Sequence, residues 1–180
     1  MSKNRIKNST QYLNLTRITR TVFVFLLIYA SSIILFDAGN LITREGIVDR
    51  WTIATILFVI NTVVWLWSSR KKTTTTSQFY IVALLSVALV GFAGYMTYLE
   101  RGMASTSTIL YALPLLVVAT IKNRHALLAT TAIASATYAY ASVRYFNEFF
   151  NEGYRIQLWG TLLLTIGVIF VVSWLIMIIA

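Results

Sequence analysis

Residues 156–180 read IQLWGTLLLTIGVIFVVSWLIMIIA, a run of 25 residues without one charged side chain. A transmembrane helix needs roughly 20 mostly apolar residues to cross a hydrocarbon core of about 30 Å. This stretch therefore predicts a membrane-spanning helix, and it decides the class of fold.

Five more uncharged intervals precede this run, and charged residues bound each of them. The 15 Lys and Arg and the 6 Asp and Glu side chains all fall outside the intervals, as expected where a charge would cost several kcal/mol. The sequence predicts an all-α polytopic membrane protein with a basic cytoplasmic arm, residues 1–20, and a six-helix transmembrane domain, residues 21–180. The predicted spans are about 21–36, 51–69, 79–99, 104–121, 126–143 and 157–180.

The distribution of basic residues predicts the topology. With the N-terminus in the cytoplasm, the inner segments hold ten Lys and Arg residues and the outer loops hold five. Lys and Arg concentrate on the cytoplasmic side of membrane proteins, so we expect both termini there. The five outer residues are Arg44, Arg50, Arg101, Arg144 and Arg155.

Composition also narrows the classes of function. The chain is 58% hydrophobic and 12% charged, about half the charged fraction of ~25% that soluble domains carry. It has no cysteine and one histidine, His125, so disulfides and metal clusters of Cys or His are excluded. No catalytic motif is present, and we predict neither an enzyme nor a cofactor or metal site. The net charge is +9, and the basic residues that produce it lie at the ends of the predicted helices. This position indicates that the partner is the lipid bilayer and not nucleic acid.

The fifth span carries a polar stripe. Thr131, Ser135, Tyr138 and Ser142 are spaced 4, 3 and 4 residues apart, which places them on one helix face. The stripe has two interpretations: hydroxyl groups that hydrogen-bond to a neighbouring helix, or the lining of a small ligand cavity.

Small residues predict where helices cross closely, because they let two backbones approach. The candidates are Ala132 and Ala136 in the fifth span, Gly91 and Gly94 in the third, and Gly160 and Gly167 in the sixth.

Two isolated residues are further candidates. Asn61 lies near the middle of the second span, where its amide must find a partner: either a neighbouring helix, or a ligand or gating contact. Pro114, the only proline, lies mid-span in the fourth helix. It predicts a kink there, either static or acting as a hinge.

The last outer loop, residues 144–155, has four charged and five aromatic residues. It is typical of an interfacial aromatic belt. The alternative is a recognition surface for an extracytoplasmic ligand, with Glu148, Glu152 and Tyr154 as candidates.

The segment from about 105 to 180 resembles the membrane input regions of bacterial sensor histidine kinases. The resemblance rests on Tyr111-Ala112-Leu113-Pro114, on the basic turn Lys122-Asn123-Arg124-His125 before an alanine-rich helix, and on Asn151-Glu152-Gly153-Tyr154-Arg155 before the last helix. It implies a bacterial plasma (inner) membrane location. It also implies a last helix that leads into a cytoplasmic signalling domain.

The leading functional hypothesis is therefore a sensory input module of a signal transduction protein. A homodimer is a further expectation. The bare apolar end at Ala180, without Lys or Arg, leads us to expect that the chain continues into an output domain or reaches a partner. The alternatives are a small carrier or channel, and a membrane scaffold or assembly subunit.

Overall fold

The computed structural model describes the backbone of residues 2–70, 75–149 and 155–179 and the side chains of 15–69, 76–149 and 156–179. Within these ranges the chain forms six α-helices and two short 3-10 helices, and no strand. Every α-helix except α4 contains a stretch long and apolar enough to cross a membrane, which confirms the all-α polytopic membrane fold. The α-helices are α1 (Ser2–Ala38), α2 (Arg44–Arg70), α3 (Thr75–Leu99), α4 (Ala112–Ala119), α5 (Arg124–Phe149) and α6 (Arg155–Ile179). The 3-10 helices, Gly102–Ala104 and Thr106–Tyr111, lie between α3 and α4.

The first apolar helical stretch is longer than the predicted span 21–36. Helix α1 begins at Ser2, so the basic arm is helical and continuous with the span, and the apolar stretch runs Leu15–Ala38. The side chains of Arg17 and Arg20 are exposed. Because a long basic side chain can reach water along its apolar stem, the span does not have to end at either residue.

The chain divides into two compact units, Met1–Val82 and Ala83–Ala180. In the first unit, α1 and α2 form an antiparallel hairpin. Asn40 takes a left-handed conformation in the turn, with φ of 51°. About halfway along the two helices the ring of Phe23 meets that of Phe58 edge-on at 5.4 Å, a favourable geometry for aromatic pairs.

In the second unit, α3 and α5 run in the same direction. Gly94 of α3 lies against Thr137 of α5, and Tyr98, one turn later, reaches Glu148 further along α5. The chain must therefore return between the two helices before α5 begins.

The fourth segment makes this return. Gly102 lies beside Tyr145 near the end of α5, and the rings of Tyr111 and Tyr138 meet edge-on at 5.9 Å. At the other end, Ala119 shares the lining of a small cavity with residues at the start of α5. The segment thus follows α5 in the opposite direction over most of its length.

The prediction of one continuous helix over 104–121 is wrong. The apolar helical part is Thr106–Ala119, and its first turns are 3-10. The Ser105 hydroxyl accepts a hydrogen bond from the Ser107 backbone N–H at 3.0 Å, and the Ser107 hydroxyl donates to Glu100 at 2.5 Å. Short hydroxyl side chains of this kind compete with the helical backbone pattern.

Pro114 lies in the first turn of α4, which begins at Ala112, and close to the middle of the apolar helical stretch Thr106–Ala119. The Ala112 N–H bonds carbonyls of the preceding 3-10 helix, those of Ile109 and Leu110, whereas Pro114 has no N–H to donate. Its ring would clash with the carbonyl four residues earlier, which explains why the α-helix does not extend upstream. The hinge role of Pro114 stays a prediction.

Of the predicted close crossings, Gly94 is the one that occurs among the described residues. A Cβ atom at Gly94 would overlap Thr137, whereas no described atom lies within 4 Å of such a Cβ at Gly91, Gly160 or Gly167. The side chains of Ala132 and Ala136 are exposed, so this pair does not mark a crossing either. These small residues lie on helix surfaces, where they would permit close contact, but no described residue packs closely against them.

Candidate functional site

The polar stripe of α5 is buried. Thr131, Tyr138 and Ser142 have 0% of their surface exposed and Ser135 has 7%. The residues between them on the same face are apolar and small, such as Ala134. The spacing seen in the sequence thus produces one continuous buried face with four hydroxyl groups.

Two of these hydroxyls meet hydroxyls of α6, and we call the four residues Thr131, Tyr138, Thr165 and Ser173 the α5–α6 seam. The oxygens of Thr131 and Ser173 are 2.7 Å apart, and the Tyr138 hydroxyl donates to the Thr165 hydroxyl at 3.2 Å. Since partners later on α5 are earlier on α6, the two helices are antiparallel.

The direction of the Thr131–Ser173 bond follows from proton counting. The Thr131 oxygen also lies 2.8 Å from the backbone carbonyl of Leu127, and a hydroxyl has one proton to donate. Both contacts are satisfied when Thr131 donates to the carbonyl and accepts from the Ser173 hydroxyl. The seam therefore depends on Thr131 as an acceptor.

Helix α6 is otherwise lightly buried. Its buried side chains, Leu158, Leu162, Ile169 and Ser173, follow one face. Only 17% of its most apolar stretch is buried, against 56% for α3. Since lipid tails are as apolar as Leu, there is no hydrophobic driving force between the helices, and the seam hydroxyls add polar contacts that help to fix α6 on α5.

The other two hydroxyls of the stripe have no such partner. Among the described residues, no hydrogen-bond partner lies near the buried Oγ atoms of Ser135 and Ser142. A buried unsatisfied polar atom costs roughly 1–3 kcal/mol. Each of these hydroxyls therefore keeps an unused capacity to donate and accept a hydrogen bond.

A cluster of aromatic and charged residues lies towards the end of α5. The Tyr98 hydroxyl donates to Glu148 Oε2 at 2.6 Å, and the guanidinium of Arg144 lies 5.2 Å from the centre of the Tyr98 ring. Tyr145 meets the same ring edge-on at 6.1 Å. Tyr98 thus contacts both charged side chains.

Beside this cluster is an open groove between α5 and α6 with a volume of about 680 Å³, and we call it the α5–α6 groove. This volume lies within the roughly 300–1,000 Å³ typical of small-molecule sites. Charged side chains line one part of it and apolar side chains the rest. Its lining includes Tyr140, Arg144, Asn147, Glu148, Trp159 and Leu162.

No protein family, curated protein or solved structure matches this chain. The chemistry of the site itself therefore decides which functions it supports.

Metal chemistry has no candidate site among the described residues, because no three His, Asp or Glu side chains come together there. Glu100, for example, is engaged in hydrogen bonds within the chain. Its carboxylate accepts hydrogen bonds from the hydroxyls of Ser105 at 3.3 Å and of Ser107 at 2.5 Å. This carboxylate fixes the turn that leads into the 3-10 helices.

The structure brings together some of the predicted site residues and separates others. Thr131, Ser135 and Tyr138 share the buried face of α5, and Glu148 lies near its end. Asn61 belongs to the first unit, where it is fully buried and its amide donates to the Thr19 carbonyl at 3.0 Å. That contact agrees with the interhelical interpretation of Asn61.

Two predicted residues, Glu152 and Tyr154, lie outside the described residues. Pro114 is buried in α4.

Sequence reasoning missed Tyr98, Trp159 and the α6 half of the seam. Thr165 and Ser173 are hydroxyl residues eight positions apart in a mostly apolar helix, about two turns. That spacing was a usable signal, because a polar side chain inside a span is more often turned towards protein than towards lipid.

Proposed function

We propose that this chain is the sensory input module of a membrane signalling protein, in which α6 moves relative to α5 in response to a ligand or a change in the membrane. The observation that carries the proposal is the α5–α6 seam. It joins an α6 with little other burial to a buried polar face of α5 that has two unsatisfied hydroxyls.

The energies of such a seam suit a switch. Hydrogen bonds between transmembrane helices contribute about 0.6 kcal/mol on average. The free energies of two positions of α6 therefore differ by only a few kcal/mol. A ligand shifts such an equilibrium by as much as its affinities for the two states differ. Ser135 and Ser142 supply alternative partners for hydroxyls of α6 in a second position.

The predicted topology is part of the proposal. The parallel course of α3 and α5, with a returning segment between them, supports a fourth crossing by residues 102–122. The basic residues Lys122 and Arg124 at the end of this return support a cytoplasmic side there. With an even number of crossings, both termini lie in the cytoplasm of a bacterial cell, and α6 ends where a signalling domain or partner is reached.

Fusion of α6 to the cytoplasmic domain of a histidine kinase tests the proposal. Thr131→Val removes the acceptor of the seam while keeping nearly the same shape. Its matched control is Thr55→Val, because Thr55 is exposed on α2 and its hydroxyl bonds only its own helix, at 2.8 Å to the Trp51 carbonyl. We expect Thr131→Val to change basal kinase output several-fold and Thr55→Val to leave it unchanged.

The proposal is wrong if kinase output is the same in the wild type, in Thr131→Val and in Tyr138→Phe, with all three proteins present in the membrane at equal amounts. A solute flux in liposomes that is lost with Ser135→Ala would favour the carrier alternative instead. A homodimer, which the proposal includes, is checked by cross-linking the fusion in the membrane.

A further inference from the structure

We propose that the α5–α6 groove binds the head group of a zwitterionic phospholipid that carries a primary ammonium group, as phosphatidylethanolamine does. The inference rests on the proposed function, because it names the class of ligand that the groove of the sensory module takes. It is argued from the charges, their orientation and the apolar lining of the groove.

The charges of the groove form a complementary pair. Arg144 and Glu148 both line it, both are exposed, and they lie four residues apart, which places them about 5–6 Å from each other on one helix face. Arginine binds phosphate through two parallel N–H groups, and a carboxylate accepts hydrogen bonds from an ammonium group. A head group with a phosphate next to an ammonium therefore meets an opposite charge at both ends.

Tyr98 fixes the orientation of this pair. Its hydroxyl holds one oxygen of the Glu148 carboxylate at 2.6 Å and leaves the second oxygen to accept from a ligand. Its ring lies 5.2 Å below the guanidinium of Arg144, a cation–π distance that restricts the long side chain. A pair that is already oriented loses less conformational entropy on binding.

The rest of the groove suits an acyl chain. Val143 and Ala139 line it about one and a half and two and a half turns before Glu148, and Leu162 and Trp159 line it from α6. The polar part thus lies towards the end of α5 and the apolar part towards its middle, the same order as head group and chain in a bilayer. Trp159 lies close to the start of α6, and Trp is enriched at this depth of a membrane.

The carboxylate favours this class of lipid over the two nearest alternatives. A quaternary ammonium head group has no N–H to donate to Glu148. An anionic head group without an ammonium also offers its phosphate to Arg144, but it has no cation to pair with the Glu148 carboxylate. We therefore expect phosphatidylethanolamine to bind more tightly than phosphatidylcholine or phosphatidylglycerol with the same acyl chains.

Native mass spectrometry of the full chain in detergent micelles tests the inference, with each of the three lipids added separately. A single charge-assisted contact of about 1.4 kcal/mol corresponds to a tenfold change in affinity. We expect phosphatidylethanolamine to bind about tenfold more tightly than the other two lipids. Glu148→Gln should abolish this preference, and Arg144→Gln should weaken the binding of all three.

The matched controls are Arg44→Gln and Glu45→Gln, an adjacent pair of opposite charges exposed at the start of α2, and they should bind as the wild type does. If Arg144→Gln does not fold, Trp159→Ala replaces it, since it removes an exposed part of the apolar wall and should lower the affinity for all three lipids. Equal affinity of the wild type for the three lipids, a preference for phosphatidylglycerol, or an unchanged preference in Glu148→Gln would overturn the inference.

The kinase fusion separates this inference from the proposed function. Selective lipid binding together with an output that ignores Thr131→Val would leave the inference standing and overturn the sensory role. An output that responds to Thr131→Val, together with unselective lipid binding, would support the sensory role and overturn the inference.

Discussion

Gly94→Ala is the sharpest test of the packing in the second unit. Gly94 of α3 faces Thr137 of α5, and a Cβ atom at position 94 would overlap the Thr137 methyl group, Cγ2. Among the described residues, Thr137 is therefore the side chain that a Cβ at position 94 would have to displace, and it is a small one.

The magnitude follows from whether Thr137 can move. Its hydroxyl bonds the Ile133 carbonyl at 2.8 Å, and its branched Cβ restricts χ1 in a helix, so the two helices must separate. Overpacking of this kind costs about 2 kcal/mol, while replacing Gly by Ala inside a helix gains about 1 kcal/mol. We expect Gly94→Ala to lower the free energy of unfolding by about 1 kcal/mol.

Gly91→Ala is the matched control, because Gly91 lies on the same helix with no described atom within 4 Å of its Cβ position. It should gain the helical contribution alone and be more stable than Gly94→Ala by about 2 kcal/mol, the overpacking cost. Reversible unfolding in mixed micelles, followed by circular dichroism during titration with a denaturing detergent, measures both variants.

Thr137→Ser provides the rescue. It removes the Cγ2 methyl group and keeps the hydroxyl bond to Ile133, so the double variant Gly94→Ala, Thr137→Ser should regain most of the lost stability. The reasoning would be refuted if Gly94→Ala were as stable as Gly91→Ala, or if the added Thr137→Ser gave no recovery.

Three more predictions concern stability in the same micelle assay. Asn61→Leu should change the free energy of unfolding by less than about 1 kcal/mol, because it removes the hydrogen bond to Thr19 together with a buried Oδ1 that has no hydrogen-bond partner among the described residues; a loss above about 3 kcal/mol would contradict this. A double-mutant cycle of Thr131→Val and Ser173→Ala should give a coupling energy of about 0.6 kcal/mol, and a coupling of zero would remove the seam as a contact. Gly102→Ala should cost at least about 1–2 kcal/mol because φ is +61° and the new Cβ would lie 3.0 Å from that of Tyr145; a midpoint equal to that of the wild type would be inconsistent with this backbone conformation.

The spans were the most predictable part of the fold. Charges are excluded from hydrocarbon by several kcal/mol, a bias strong enough to be read from sequence alone. Span ends were less predictable, as α1 shows: Arg17 and Arg20 lie inside its apolar stretch, because basic side chains can bend towards water.

The fourth segment could not be predicted as it is. An uncharged interval indicates which residues lie in the membrane but not the type of helix that they form, since the same amino-acid composition is compatible with 3-10 and with α-helical geometry. What decides between them is local: the hydroxyl contacts of Ser105 and Ser107, and the clash of the Pro114 ring with an earlier carbonyl.

One part of the candidate site, the polar face of α5, could be predicted from the sequence, and its partners could not. The face of α5 followed from the spacing of Thr131, Ser135 and Tyr138, because helical periodicity is fixed. Their partners did not follow, because which of several apolar helices packs on that face depends on tertiary contacts. For the same reason Tyr98, far from Glu148 in sequence, was not recognised as its hydrogen-bond donor.

The 3-10 helix Thr106–Tyr111 has a mechanical consequence. It rises about 2.0 Å per residue with three residues per turn, against 1.5 Å and 3.6 in an α-helix. An α-helix over the same six residues, which the Pro114 ring disfavours, would be about 3 Å shorter and would leave α4 rotated by roughly a third of a turn. The tighter winding therefore sets both how far this segment reaches and which side chains of α4 face its neighbours.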